Sequence, residues 1–589
     1  MKILLVHPDD CVAPELAATE TAWDRIVDLG WSGRYFYSRQ AERFGCPVLS
    51  IYDLLDHEQH RCRLRELLGV GLNQLVDSES IDWWDTYSGP LYQPLEQLML
   101  ASILAEQFPE GTEIFATRPH FVTQALARLL RCEIKILPPK RETRPGVGPS
   151  RFLKKISALG PSQMTEIVLD KWDADYRLRR LISPRRSEST TRAVLLPSAY
   201  VNVSRAQLAY ARMLPERRFL LVVTRPSGRR VQLPGNVELR SLASYAPGVL
   251  PLTENERVRL LKKWQELQND RFAANRVLGL ATTLHLFDGF PGFLKTGLRV
   301  RDAWREVIAN EPIEAVLSAD EHNPFTRLPT LLARARKLPT VSCHHGALNM
   351  TFGIRQQCSD VYLASGEMAK DYIITWCGLP AEKILVGGPQ KSSGSLPSAG
   401  HGRRDWMVVF SEAYEVSSAR AQTLYSELLP ELCSLARQSN RKVIVKLHPF
   451  ENLRGRKAMI DKALSAEERP LVEMREGPMT SDLFERAWFS VTVESSVAVE
   501  STTNGVPCFL CSWFDSSWYD YGKQYAKFCA GYPLDSPENI RQIPRLLEGI
   551  TITDATQRAL HTSISRERLD SVLSAHNHLT KCESAISAR

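Results

Sequence analysis

The chain is poor in long apolar runs. In 589 residues no window approaches the roughly 18 to 20 uninterrupted apolar residues needed to cross a bilayer. The run that opens it, Ile3 to Val6, leads through His7 into Pro8, Asp9 and Asp10. A proline and two acids are not a small-residue cleavage site, so this run is expected to be a strand and not a signal peptide. Cysteine is sparse and scattered, 12 residues with no dense framework, which fits reduced thiols in a cytoplasm. There is no Walker A loop, no HExxH and no GxSxG, which removes support from P-loop, zincin and serine-hydrolase readings. No repeat of 20 to 50 residues is found, which argues against a solenoid.

What is present is a globular composition, 43% hydrophobic and 24% charged, with a formal net charge of +7. From 140 to 192 there are 13 Lys plus Arg against 6 Asp plus Glu, so this one segment carries an excess equal to that of the whole chain. Facing anionic lipid at the inner side of the cytoplasmic membrane, or a polyanionic glycan, is one reading of it. A solvated helix face or linker is the other. A cytoplasmic protein, at most peripheral to the membrane, is expected.

Short apolar runs alternate with helical patterns over nearly the whole length, the mark of an α/β fold with parallel sheets. Strands are expected at 3–6, 48–51, 113–116, 133–137, 193–196, 219–223, 315–318, 340–343, 361–364 and 384–386, with a mostly helical stretch at 254–309. Residues 391–404, rich in Ser, Gly and Pro, read as the main linker. Beyond it strands are expected at 406–410, 442–446, 471–474, 489–493 and 507–511. The domains so defined are an N-terminal α/β region over 1–190, a lobe over 191–390 that can join it in one elaborated body, and a lobe over 405–589.

In open parallel sheets ligands sit beyond the carboxyl ends of the strands, so polar residues just after apolar runs are the informative ones. Lys446-Leu447-His448-Pro449 follows one strand, and a lysine with an imidazole two residues on suits a phosphate, although a structural histidine is an equal reading. Thr492-Val493-Glu494-Ser495-Ser496 runs from a strand into a helix, where the serines can cap the helix or help hold an anion. Glu500, one turn later, can accept from ribose hydroxyls. Asp320-Glu321-His322-Asn323 and Cys343-His344-His345-Gly346 follow neighbouring strands, and a carboxylate with an imidazole is what proton removal from an acceptor hydroxyl needs. Spacing alone does not choose among Asp320, Glu321, His344 and His345. Trp83-Trp84 and Tyr87 can stack on sugar rings or be buried, and Cys508-Phe509-Leu510-Cys511 reads as a buried strand more readily than as a metal site.

The succession of His345-Gly346, Gly387-Gly388-Pro389-Gln390, KLHP and SDLFERAWFSVTVESSVAVESTTNGVPCF resembles bacterial surface-polysaccharide enzymes of the GT-B fold. It is similar to CDP-glycerol glycerophosphotransferases, polysialyltransferases and capsule Kdo transferases, over roughly residues 315 to 511. The resemblance implies two Rossmann-like lobes with an enlarged N-terminal part. It also implies donor-phosphate contacts at His448, Ser495 and Ser496 and a catalytic histidine at His345; Lys446, Glu500 and Gly388 complete the expected donor-nucleotide set. Asp320-Glu321 is similar to the acidic motif of the polysialyltransferases, with His322 where that motif has glycine. The expected activity is inverting, metal-independent glycosyl transfer, or a glycerophosphotransferase-like transfer, from a nucleotide-activated donor to a glycan or lipid-linked acceptor in surface polysaccharide synthesis. A nucleotide-sugar epimerase and a non-catalytic glycan-binding scaffold are the alternatives. No metal or other cofactor and no nucleic-acid partner are expected.

Overall fold

A computed structural model describes residues 1–7, 22–30, 40–42, 44–137, 190–225, 228, 231–246, 251–321, 323–346, 359–390, 404–412, 418–448, 451, 453–514 and 521–574. Nearly all of the basic segment 140–192, all but the last residue of the linker expected at 391–404, and His322 and Pro449 lie outside the described residues.

Among the described residues the fold is α/β and built on three sheets in which every strand pair is parallel. The first sheet has the order β3-β2-β1-β4-β5, from β1 (Lys2–Val6), β2 (Arg25–Asp28), β3 (Val48–Ser50), β4 (Glu113–Ala116) and β5 (Ile134–Ile136). The second has seven strands, β6 (Ala193–Ser198), β7 (Arg218–Val223), β8 (Val237–Ser241), β9 (Ile313–Ser318), β10 (Thr340–Cys343), β11 (Val361–Ala364) and β12 (Ile384–Val386), in the order β12-β11-β10-β9-β6-β7-β8. The third has six, β13 (Trp406–Phe410), β14 (Lys442–Lys446), β15 (Val472–Arg475), β16 (Ala487–Thr492), β17 (Cys508–Cys511) and β18 (Tyr532–Leu534), in the order β15-β14-β13-β16-β17-β18. In each sheet the chain first winds one way and then returns to the middle and winds the other. The reversals fall between β1 and β4, β6 and β9, and β13 and β16, and such reversals are where Rossmann-like sheets open a crevice at their strand tips.

The central strands read as continuous apolar runs because helices cover both faces. All residues of β6, β13 and β17 are buried. Met407, Val409, Val443, Val445, Phe489 and Val491 pack with the helix Ser418–Ser439 in one core, each fully buried aliphatic contributing about 1.5–3 kcal/mol.

Three strands escape the periodicity. β2 is four residues long, β8 alternates at a sheet edge, and β18 carries Pro533, which an edge strand tolerates. Contact density gathers the chain into two compact units. One comprises Met1–His60, Gln97–Lys140 and Ser392–His561 and holds the five- and six-stranded sheets. The other comprises Arg61–Glu96, Arg141–Lys391 and Thr562–Arg589 and holds the seven-stranded sheet.

Candidate functional site

Trp83 and Trp84 belong to the interior of the second unit, both fully buried. Trp83 Nε1 donates to Asp77 at 2.9 Å and Trp84 Nε1 to the Leu68 carbonyl at 2.6 Å. Asp77 in turn pairs with buried Arg301, and Asp85 pairs with Arg327. A Cβ on Gly297 would stand 2.3 Å from the Trp83 ring, so the glycine makes room for it. These aromatics pack the interior and do not present a sugar platform. Cys508 and Cys511 are equally enclosed, and burial pushes the Cys508 thiol up to about 12 and Cys511 well above its usual value, which disfavours the thiolate a metal would need.

At the tips of the seven-stranded sheet, Ser318 of β9 stands level with Ser342 of β10, so the residues after each strand become neighbours. Asp320 is buried and accepts from the Asn323 amide at 3.0 Å, while its carbonyl takes the Thr326 hydroxyl; it shapes the turn into the helix Pro324–Ala335. Glu321 is buried too, its Oε1 accepting from the hydroxyls of Ser342 and Ser359. His345 is exposed, and its Nδ1 meets the Ala319 carbonyl just past β9. A carbonyl can only accept, so Nδ1 carries the proton and Nε2 keeps its lone pair, the tautomer a general base requires. His344 Nδ1 lies 3.0 Å from the Gly346 carbonyl instead. Of the four candidates, His345 combines exposure with the right tautomer.

Gly388 belongs to the same unit but to a different task. Its amide donates to the Thr562 carbonyl at 2.8 Å and its own carbonyl accepts from the Ile564 amide at 2.9 Å. The neighbouring Gly387 admits this returning segment, because a Cβ there would meet Ile564 at 2.9 Å.

On the six-stranded sheet, Phe410, Lys446 and Arg475 stand in register, which sets the residues after β13 and β14 side by side. Lys446 turns inward with 4% of its surface exposed, its Nζ donating to the Leu447 carbonyl at 2.9 Å and the Gly477 carbonyl at 2.7 Å, and desolvation lowers its pKa. Its ammonium ties down the loop that carries His448. Glu451 closes the same loop: its carboxylate accepts the His448 amide at 2.8 Å and the Ser411 hydroxyl at 2.9 Å and pairs with Arg456 at 2.7 Å, all within the protein. Burial raises its pKa against the pull of these partners. His448 itself is half-buried.

Across the reversal between β13 and β16 lies the most concentrated feature of the sheet. Glu412 follows β13 by two residues, and its Oε1 accepts from the amides of Val493 at 3.0 Å, Glu494 at 2.6 Å and Ser495 at 3.1 Å, with the Thr492 hydroxyl at 3.1 Å. Successive amides turned on one oxygen form a cradle for an oxyanion. Ser495 Oγ accepts weakly from the Val497 amide at 3.4 Å, and Ser496, the exposed N-cap of the helix Val497–Thr503, makes no side-chain cap bond. Glu500 is exposed on that helix. Histidine and serine drew the sequence reading to β14 and β16; the same rule applied to the tip of β13 points to Ser411 and Glu412.

No protein-family model and no curated protein matches the chain. Among solved structures it is similar to the UDP-GlcNAc 2-epimerase from Methanocaldococcus jannaschii, at 12% identity over 66% of this chain and 100% of that one, with a TM-score of 0.41. It is similar also to the glycosyltransferase SnogD from Streptomyces nogalater, at 14% identity over 67% of this chain and 100% of that one, TM-score 0.38. A third is UDP-glucose: anthocyanidin 3-O-glucosyltransferase in complex with UDP, at 12% identity over 66% and 95%, TM-score 0.38.

Proposed function

We propose that the protein is a glycosyltransferase that moves a sugar from a nucleotide-activated donor to a hydroxyl of a glycan or lipid-linked acceptor in surface polysaccharide synthesis, inverting and without a metal. The observation that carries the reading is the amide cradle of 493–495 at the reversal of the six-stranded sheet, the place where such sheets take phosphate-bearing ligands. Donor phosphate is assigned to this cradle with His448, Ser495 and Ser496. Lys446 and Glu451 hold the His448 loop in shape, and Glu500 is the partner for ribose hydroxyls.

Proton removal is assigned to His345. Its Nε2 takes the acceptor proton as that oxygen bonds the anomeric carbon and the bond from that carbon to the donor phosphate breaks. The charge left on the departing phosphate is met by amide and imidazole donors already in place. Asp320 and Glu321 support the strand tip on which His345 stands, and Gly388 anchors the returning chain.

The test is product formation with CMP-, UDP- and GDP-linked sugars and a mixed oligosaccharide acceptor pool. Nucleotide release that depends on acceptor is expected, lost in His345→Ala. Conversion of a nucleotide sugar without acceptor would redirect the reading to epimerisation, and no turnover with any donor would refute it.

A further inference from the structure

We propose that Glu412 is an exchangeable internal occupant of the amide cradle, holding it open until an oxyanion of the donor phosphate takes its place. This rests on the reading of the six-stranded sheet as the donor side, and goes beyond it by making Glu412 the competitor that donor must displace.

Four donors converge on a single carboxylate oxygen, three of them consecutive backbone amides. These amides precede the helix Val497–Thr503, so no helical bond claims them. They are placed by the register of β16 against β13, in which Val409 stands opposite Val491. An anion receptor of this kind does not distinguish a carboxylate from a phosphate oxygen by shape, only by charge and reach. The carboxylate comes from a half-buried side chain on a different strand tip, and a rotation about its side-chain bonds withdraws it. Two anions cannot share one cradle, because like charges at contact distance repel strongly. Occupation by Glu412 is therefore exclusive, and the apparent affinity for donor is reduced by the fraction of time the cradle is filled.

The experiment titrates inorganic pyrophosphate, and separately CDP, UDP and GDP, into the full chain by calorimetry, using wild type, Glu412→Gln and Glu412→Ala, with thermal midpoints to confirm folding. If the cradle is open about a tenth of the time, Glu412→Ala binds about tenfold more tightly than wild type. Glu412→Gln, which keeps an acceptor oxygen without the charge, falls between. Equal or weaker binding in folded variants overturns exchange and makes Glu412 a permanent clamp. If Glu412→Ala does not fold, the Gln variant alone decides by the same criterion. Pyrophosphate affinities in the expected order with no nucleotide bound by any form would uphold exchange and sink the donor reading. Acceptor-dependent turnover with weaker binding in both variants would do the reverse.

Discussion

Each of the two larger sheets sets a carboxylate near its reversal, and the two are held by different kinds of donor. Glu321, beyond β9, is gripped by hydroxyls of Ser342 and Ser359, side chains of its own sheet and its approach. Glu412, beyond β13, is gripped chiefly by three backbone amides of the β16 turn, with the Thr492 hydroxyl as a fourth donor. Side-chain hydroxyls rotate to suit the acid they serve, whereas amides fixed by a strand register are aimed at a position in space, whatever anion fills it. The first arrangement builds a firm tip beside the imidazole of His345, to which we assign proton removal. The second builds a receptor. On the function proposed above, the contrast gives proton chemistry to one sheet and oxyanion chemistry to the other.

The largest effect is expected where the loop that carries His448 loses its anchor. Glu451→Ala leaves Arg456 buried without its carboxylate and should cost about 3–5 kcal/mol of stability, read from denaturant midpoints. A loss under about 1 kcal/mol would mean the His448 loop is held by something else. Next, His345→Ala should lower turnover by about 100-fold, roughly 2.7 kcal/mol in the barrier, while donor affinity stays within about twofold. If affinity falls instead, the division of labour between the sheets is lost. Smaller again, Ser342→Ala removes one of the hydroxyls that satisfy Glu321 and should destabilise by about 1–3 kcal/mol with turnover per folded molecule retained. A large fall in turnover there would return the base's role to Glu321.

The repetitive part of this molecule was open to reading. Continuous apolar runs announce buried parallel strands, and β13 and β14 fall where the pattern put them, at 406–410 and 442–446. The pattern does not say which strands pair, so the self-contained winding of the first sheet about β1 and β4 came only with the structure. Nor does it say which way a terminal strand residue points. Lys446 ends β14 with its charge turned into the protein, toward a carbonyl 31 residues away. Gly388 is explained by a segment 174 residues further on, a contact that no local motif carries. Glu412 was accessible to the strand-tip rule but looks ordinary in sequence, since its partners are backbone amides that have no residue signature.

The most direct test of the receptor is calorimetric titration of CMP-, UDP- and GDP-linked sugars into the wild-type chain and into His448→Ala. At least one donor should bind the wild type, and the substitution should weaken that binding by about 1–3 kcal/mol, the worth of a hydrogen bond to a charged group and its desolvated partner. A folded chain that binds none of them, or binds one equally well without the imidazole, would contradict the account.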